Sequence, residues 1–205
     1  MDMQVSFPVR DLDKHDRRAS ARTTSIYRPV IIEVGDFAGF CLVRNVSPMG
    51  MLGTVYAEFA ANQPISIDFS PQHHVEGAIV WSRNDQIGVQ FSHEIDVLEI
   101  LRQLGKGTVD PKSSRAPRLQ IRCPVQLSTE EGVIVTDLLD VSQRGLKVGV
   151  STLKAGAEVT VRLPEFPPQT AIVRWVNSGA AGLNFVRPLD FGKLAAWAIH
   201  IQSGS

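Results

Sequence analysis

The chain has 205 residues, and its 21 lysine and arginine residues balance its 21 aspartate and glutamate residues to a formal net charge of zero. Proteins whose whole surface binds nucleic acid or anionic lipid usually carry a large basic excess, so the composition argues against that class. Two cysteines are too few for a multi-disulfide scaffold, and no cysteine and histidine spacing resembles a zinc finger.

The N-terminal sequence does not have the pattern of a secretion signal, because acidic residues stand where a signal peptide has a basic start and an apolar run. The longest uninterrupted stretch of apolar residues and glycine, residues 37–43, is far shorter than the ~20 residues that span a bilayer. We therefore expect a soluble, cytoplasmic protein without membrane insertion.

The first half of the chain predicts a β-rich body between a polar arm and a helix. Three apolar runs have the length of strands: residues 29–34, 40–45 and 65–69. Gly35, Gly50 and Gly53 indicate turns between strands. The helix is predicted from apolar residues three positions apart: Ile95, Leu98, Leu101 and Leu104. Gly105 marks its predicted end.

The second half repeats the first at a nearly constant distance along the sequence. Ser142 lies 95 residues after Ser47, and Trp175 lies 94 residues after Trp81. Several ordered matches at nearly one offset indicate a duplicated domain. The second helix is predicted from one apolar stripe: Phe191, Leu194, Ala195, Ala198 and Ile201.

Short, closely spaced strands with no helix between them predict a barrel, because closure leaves no exposed strand edge. We therefore predict a mainly β protein made of two small antiparallel barrels, each followed by a C-terminal α-helix. Residues 105–114, rich in glycine, lysine, proline and serine, form the predicted linker. The predicted domains are residues 1–107 and residues 108–205.

Two short motifs in the first half carry the functional prediction. Arg18 and Arg22 frame the sequence RASAR, and 23 residues after Arg22 the sequence NVSPMG begins at Asn45. This order resembles the PilZ family, whose signature is RxxxR followed by [D/N]xSxxG and which includes receptors for the bacterial second messenger cyclic di-GMP. The resemblance implies a ligand site without metal or cofactor, made of six residues: Arg17, Arg18, Arg22, Asn45, Ser47 and Gly50.

These residue types fit a cyclic dinucleotide. Guanine O6 and N7 accept a bidentate guanidinium, and arginine also pairs with phosphate. The Asn45 amide and the Ser47 hydroxyl can hydrogen-bond a guanine edge or a phosphate, while Gly50 permits a positive φ or a close approach. In this family an arginine directly before RxxxR is associated with a stacked pair of ligand molecules, and Arg17 holds that position.

The basic residues concentrate in two arms. Residues 14–28 contain five basic residues and one acidic residue, and residues 112–122 contain four basic residues and no acidic one. The neutral total is therefore a cancellation between basic arms and an acidic remainder. We expect ligand to order the first arm on its barrel and to change how that barrel sits against its neighbour, creating or hiding a surface for an unidentified protein partner.

The second half holds a degraded copy of the motifs. Asp140 lies 22 residues after Arg118, which aligns Arg118 with Arg22 and puts serine in the place of Arg18. Arg122, close before a proline, then matches Arg28 as a strand-entry residue. The predicted second site is impaired and consists of these residues: Arg115, Arg118, Asp140, Ser142 and Gly145. Three roles stay open for this half, namely weak binding, homodimer formation or presentation of the output surface.

Alternative functions are less consistent with the sequence. A PilZ-like adaptor that docks to pilus, flagellar or synthase machinery would not need both motifs of the first half. A barrel that binds single-stranded nucleic acid would need aromatic platforms between basic residues, and 7% aromatic residues in strand-like runs do not favour it.

No catalytic triad, carboxylate pair or phosphate loop predicts an enzyme. The resemblance implies control of motility, adhesion or exopolysaccharide.

The remaining conspicuous residues are predicted to be structural. Trp81 and Trp175 are expected to be half-buried barrel residues rather than stacking platforms. His73 and His74 are expected at the surface, because neighbours on a strand point apart and no third metal ligand is evident. Cys41, between apolar residues, is expected in the core.

Overall fold

The computed structural model describes residues 24–70, 72–106 and 116–203. The first half contains six strands and a helix: β1 (Thr24–Val34), β2 (Phe37–Ser47), β3 (Gly50–Thr54), β4 (Pro64–Ser70), β5 (His73–Arg83), β6 (Gln86–Phe91) and α1 (Val97–Lys106). The second half contains seven strands and a helix: β7 (Leu119–Gln120), β8 (Pro124–Thr129), β9 (Gly132–Ser142), β10 (Gly145–Val148), β11 (Glu158–Arg162), β12 (Gln169–Asn177), β13 (Ala180–Phe185) and α2 (Phe191–Ser203).

Both halves form antiparallel barrels. The first barrel closes in the order β1-β2-β3-β6-β5-β4. In the second half the sheet runs β10-β13-β12-β11-β8-β9, and a further β9–β10 pairing closes it, with β7 added beside β9. The structure thus confirms the predicted class of two small antiparallel barrels, each followed by a helix. No helix in the described ranges is both long and apolar enough to cross a bilayer.

Side chains alternate along the strands, and the apolar ones that face inward fill each barrel. In β4, for example, Ile65, Ile67 and Phe69 are buried while the residues between them are partly exposed. Cys41 lies in the first core as predicted, and burial raises the pKa of its thiol to about 12. Burial, with a smaller contribution from a nearby aspartate, raises the pKa of Cys123 to about 11.

Two local predictions for the first half are wrong. Gly50 and Gly53 were expected in turns but lie within β3, because a short strand can include glycine where another backbone or side chain comes close. Leu98 was expected on the apolar stripe of its helix but is 64% exposed. Among the described side chains of α1, Val97 and Ile100 are buried in the first core, and two predicted members of the stripe, Ile95 and Leu101, pack partly buried against it.

The two barrels share an interface built around α2. Ile31 and Phe40 belong to the first barrel but pack with the core of the second. The Phe40 and Phe191 rings meet edge to face with centroids 5.8 Å apart, and Gln202 Nε2 donates to the Ala38 carbonyl oxygen at 3.0 Å. The predicted stripe of α2 is confirmed at its centre, where three members are fully buried: Leu194, Ala195 and Ala198.

Candidate ligand-binding site

The Asn-x-Ser-x-x-Gly motif forms the turn between β2 and β3. The Ser47 hydroxyl donates to the Gly50 carbonyl oxygen at 3.1 Å and so closes the turn. Gly50 lies where a Cβ atom would come within 2.4 Å of the Val89 carbonyl oxygen on the adjacent strand β6. Its φ is not positive, so close approach, rather than left-handed backbone, is the reason for glycine here.

Asn45 lies near the C-terminal end of β2 and is partly exposed. Its Oδ1 accepts a hydrogen bond of 2.9 Å from the Ser25 hydroxyl on β1, which leaves its amide NH₂ directed elsewhere. Asn45, Ser47 and Gly50 line one shallow groove of about 350 Å³, whose other wall includes Trp81. The structure therefore brings the three motif residues together. Arg17, Arg18 and Arg22 lie outside the described residues.

Trp81 lines one side of the groove, and Arg83 contacts the Trp81 ring. The Trp81 ring lies flat on Gly88, where an added Cβ atom would be 2.2 Å from the indole nitrogen. The Arg83 guanidinium carbon is 5.0 Å from the centroid of that ring. Trp81 is half-buried as predicted, but it also lines the groove, a position that sequence reasoning did not assign to it.

Tyr27 and Arg44 form a second arginine–aromatic pair near the motif. The pairing of β1 with β2 slips between Ser25 and Arg28, so that a bulge opposes Arg44. The Arg44 guanidinium carbon lies 4.8 Å from the Tyr27 ring centroid, and the ring is 68% exposed. Asn45 directly follows Arg44, so two cation–aromatic pairs flank the motif. No local sequence signal could have revealed this pair, because the bulge that creates it depends on how the two strands pair.

Strand pairing corrects the predicted alignment of the second arm. Thr24 pairs with Val46, and Leu119 pairs with Val141, so the 95-residue offset of the turn continues into the arm. Arg118 therefore occupies the position after that of Arg22, not the same position. By the same register, Arg122 corresponds to Tyr27 rather than to Arg28. Counting from one motif to the other could not detect this shift, because an arginine one position away from the expected place looks the same as an arm shorter by one residue.

The second turn has the same internal geometry but a different surrounding. Ser142, only 2% exposed, donates to the Gly145 carbonyl oxygen at 3.1 Å, and Gly145 faces the Leu183 carbonyl oxygen as closely as its counterpart faces Val89. Asp140 is engaged by Arg118, whose Nη1 lies 2.5 Å from Oδ1. Arg115 lies outside the described residues. Leu139 replaces Arg44 at this turn, which removes one of the two arginine–aromatic pairs.

Comparison with known proteins explains the repeated turn. A family model of the PilZ domain matches residues 16–106 and residues 112–196. The chain belongs to the PilZ domain family. The two PilZ domains differ at the first residue of this motif, since the neutral Asn45 side chain accepts from Ser25 in the first, whereas Asp140 pairs with Arg118 in the second.

Several solved structures are similar to the chain at low identity. PlzA of Borreliella burgdorferi, solved in complex with c-di-GMP, is 12% identical over 90% of this chain and 93% of its own, with a TM-score of 0.38. The Bacillus subtilis inhibitor of motility MotI/DgrA is 15% identical over 89% and 99%, with a TM-score of 0.34. YcgR of Escherichia coli, in complex with c-di-GMP, is 11% identical over 86% and 82%, with a TM-score of 0.33. No curated protein matches the chain.

The histidines of the first PilZ domain make separate contacts. His74 Nδ1 lies 2.7 Å from Asp68 Oδ1, and this hydrogen bond raises the pKa of His74. His73 Nδ1 instead lies 3.2 Å from the Ser70 hydroxyl. Within the described ranges no three histidine, cysteine or acidic side chains are grouped as metal ligands. These contacts anchor the two rings to β4 and its turn.

Proposed function

We propose that the chain is a receptor for cyclic di-GMP, rather than an enzyme, and that its first PilZ domain binds the ligand. One observation carries the proposal: the motif residues Asn45 and Ser47 share a groove with Trp81, and arginine–aromatic pairs flank them. A guanine needs hydrogen-bond partners at its edge and a flat surface or guanidinium at its face. Both kinds of contact are available on this side of the barrel.

Each group has a distinct role in the proposed complex. The Asn45 amide NH₂ donates to a guanine acceptor, while Arg44 and Arg83 offer positive charge to the phosphodiesters or stack on the bases. From the arm, Arg18 and Arg22 grip phosphate and guanine, and Arg17 favours two stacked ligand molecules. In this proposal the arm contributes positive charge, and the described groove contributes the shape into which the ligand fits.

The second PilZ domain is proposed to bind cyclic di-GMP weakly or not at all. An ion pair with Arg118 occupies Asp140, whose side chain is only 19% exposed, so a ligand would have to break that pair. The second domain also lacks a counterpart of the Tyr27–Arg44 pair, because Leu139 replaces Arg44. We propose that this domain passes the signal to a partner protein, with motility, adhesion or exopolysaccharide as the output.

Strand β2 physically joins the proposed site to the interface between the barrels. One end of β2 carries Asn45 and Ser47, and the other carries Ala38 and Phe40, which contact α2. Ligand binding is therefore proposed to change how the two barrels pack. Saturating cyclic di-GMP should alter the small-angle scattering profile and slow amide exchange along β2. Identical profiles and exchange rates with and without ligand would contradict this coupling.

Calorimetric titration with cyclic di-GMP tests the proposed function. The wild-type chain should bind at micromolar ligand, with two ligand molecules per chain. Arg22→Ala should weaken binding by about tenfold or more, because a charge-assisted hydrogen bond contributes roughly 1.5–3 kcal/mol. No heat of binding from the wild-type chain would overturn the receptor proposal and favour the non-binding adaptor.

Two variants in the same titration separate the first domain from the second. Tyr27→Leu removes the aromatic face beside Arg44 and should weaken binding by about fivefold or more, since base stacking contributes roughly 1–3 kcal/mol. Arg118→Ala removes an arginine of the second arm and should leave both affinity and molar ratio unchanged. A loss of one bound molecule in Arg118→Ala would mean that the second domain binds ligand too.

A further inference from the structure

The tips of the corresponding hairpins differ between the two barrels. In the first barrel the Phe37 ring lies against Gly39, where an added Cβ atom would be 2.4 Å from it, and packs edge to face on Phe59. Gln202 of α2 also caps the carbonyl of Ala38 there. The 95-residue offset places Gly132 at the position of Phe37 in the second barrel. The aromatic cover of the first barrel is therefore absent from the matching position.

A groove of about 360 Å³ lies at this uncovered position. Apolar residues line part of it: Val133, Ile134, Leu153 and Ala157. Three glutamates lie around it: Glu130, Glu131 and Glu158. Lys154 is the one cation among its lining residues, and its Nζ lies 2.5 Å from Glu131 Oε1. The groove thus combines an apolar floor with a net negative rim.

One side of β9 is open beside this groove. Among the residues that the structure describes, no strand pairs with residues 133–136 on the side away from β8. The Asp137 carbonyl oxygen points to that side, because it accepts from the Gly149 amide at 2.9 Å. Backbone groups alternate along a strand, so those of Val135 and Val133 point the same way. Their side chains are 71% and 60% exposed.

We propose that this open edge of β9 binds an extended, basic segment of a partner protein by strand addition. The backbone of the segment pairs with Val133 and Val135, an apolar side chain enters the groove next to Ile134, and lysine or arginine residues meet the glutamate rim. The surface is separate from the proposed ligand site, which lies on the other PilZ domain.

The charge pattern argues against a second copy of the same strand as occupant. If two β9 strands paired antiparallel about Ile134, Glu131 of one copy would face Asp137 of the other at both ends. Like charges directly opposite each other destabilise a strand pair. A basic segment removes this repulsion and gains attraction to the same acids, so it is the occupant that the surface favours.

A phage library of random decapeptides, selected on the full chain, provides the probe. Enriched peptides should alternate apolar and basic residues. Val135→Pro removes an outward N–H without breaking the β8 ladder and should weaken the selected peptides by about tenfold. Val135→Thr keeps the N–H and the branched shape, so it is the matched control and should bind like wild type.

A second variant keeps the test independent of any folding defect in Val135→Pro. The double charge reversal Glu130→Lys and Glu158→Lys changes only exposed side chains and should abolish binding of the basic peptides. Peptides that bind wild type and both variants equally, or no enrichment on the wild-type chain, would overturn the proposal. Dimerisation of wild type that Val135→Pro abolishes would overturn it as well, since a second copy would then be the occupant.

Discussion

Replacing Phe40 with alanine should lower the free energy of unfolding by about 3–5 kcal/mol, the usual range for truncating a buried phenylalanine. Phe40 is 4% exposed although it points out of its own barrel, because α2 covers it. Its ring packs edge to face on Phe191, which also lies 6.3 Å from the Tyr56 ring. The alanine variant therefore opens a cavity in the interface between the two barrels and loosens their coupling.

Urea unfolding, followed by tryptophan fluorescence and by circular dichroism, measures this effect. Trp81 reports on the first barrel, while Trp175 and Trp197 report on the second. The variant should unfold at lower urea with two transitions that no longer coincide. Phe40→Leu keeps most of the apolar volume and should cost less than about 1.5 kcal/mol. A loss below about 1 kcal/mol in Phe40→Ala would show that the barrels do not depend on this contact.

The fold class followed from the sequence because two signals agreed. Strand-like runs such as residues 65–69 alternate or are continuously apolar, and the repeat places the same runs in both halves. Short turns account for the hairpin pairs such as β1–β2 and β5–β6. Closure also pairs β3 with β6 and β1 with β4, which are not neighbours in sequence, and it was predicted because a closed barrel leaves no exposed edge. The buried stripe of α2, with Leu194 and Ala195 at its centre, was likewise visible from helical periodicity.

Neither the interface between the two barrels nor the buried face of α1 could be predicted from these two signals. Phe40 and Cys41 are adjacent and both buried, one toward each side of β2, and no pattern within a single strand distinguishes a residue covered by another domain. Leu98 fits an apolar stripe by spacing yet is exposed, because the position of the barrel, not hydrophobicity alone, selects the buried face of a helix.

The candidate site was predictable only where residues form a contiguous motif. The turn from Asn45 to Gly50 could be located from its letters, and the structure assembles it into one groove. Tyr27 and Arg44 are brought together by a bulge, and the shift that creates a bulge depends on strand pairing rather than on local sequence. The same dependence on pairing explains the one-residue error at Arg118.

Replacing Gly50 with alanine should destabilise the protein by about 3 kcal/mol, at the upper end of the range for overpacking. The added methyl group would lie 2.4 Å from the Val89 carbonyl oxygen, which belongs to the backbone of β6 and cannot rotate away. Strands β3 and β6 would have to separate at this point. This movement would displace the Gly50 carbonyl oxygen and so break the hydrogen bond that it accepts from the Ser47 hydroxyl.

Thermal unfolding of matched alanine variants distinguishes a packing role from a ligand role for this glycine. Gly145→Ala, with its methyl 2.2 Å from the Leu183 carbonyl oxygen, should lose as much stability as Gly50→Ala although its domain is not the proposed binding domain. Gly149→Ala, whose nearest neighbour would be 3.8 Å away, should change stability by no more than about 0.5 kcal/mol. If Gly50→Ala were as stable as wild type and yet failed to bind cyclic di-GMP, the glycine would serve the ligand directly. Equal losses of stability at both turns would instead mean that the motif has glycine so that its strand can lie against the neighbouring strand. Ligand recognition would then rest on the asparagine and the arginines around it.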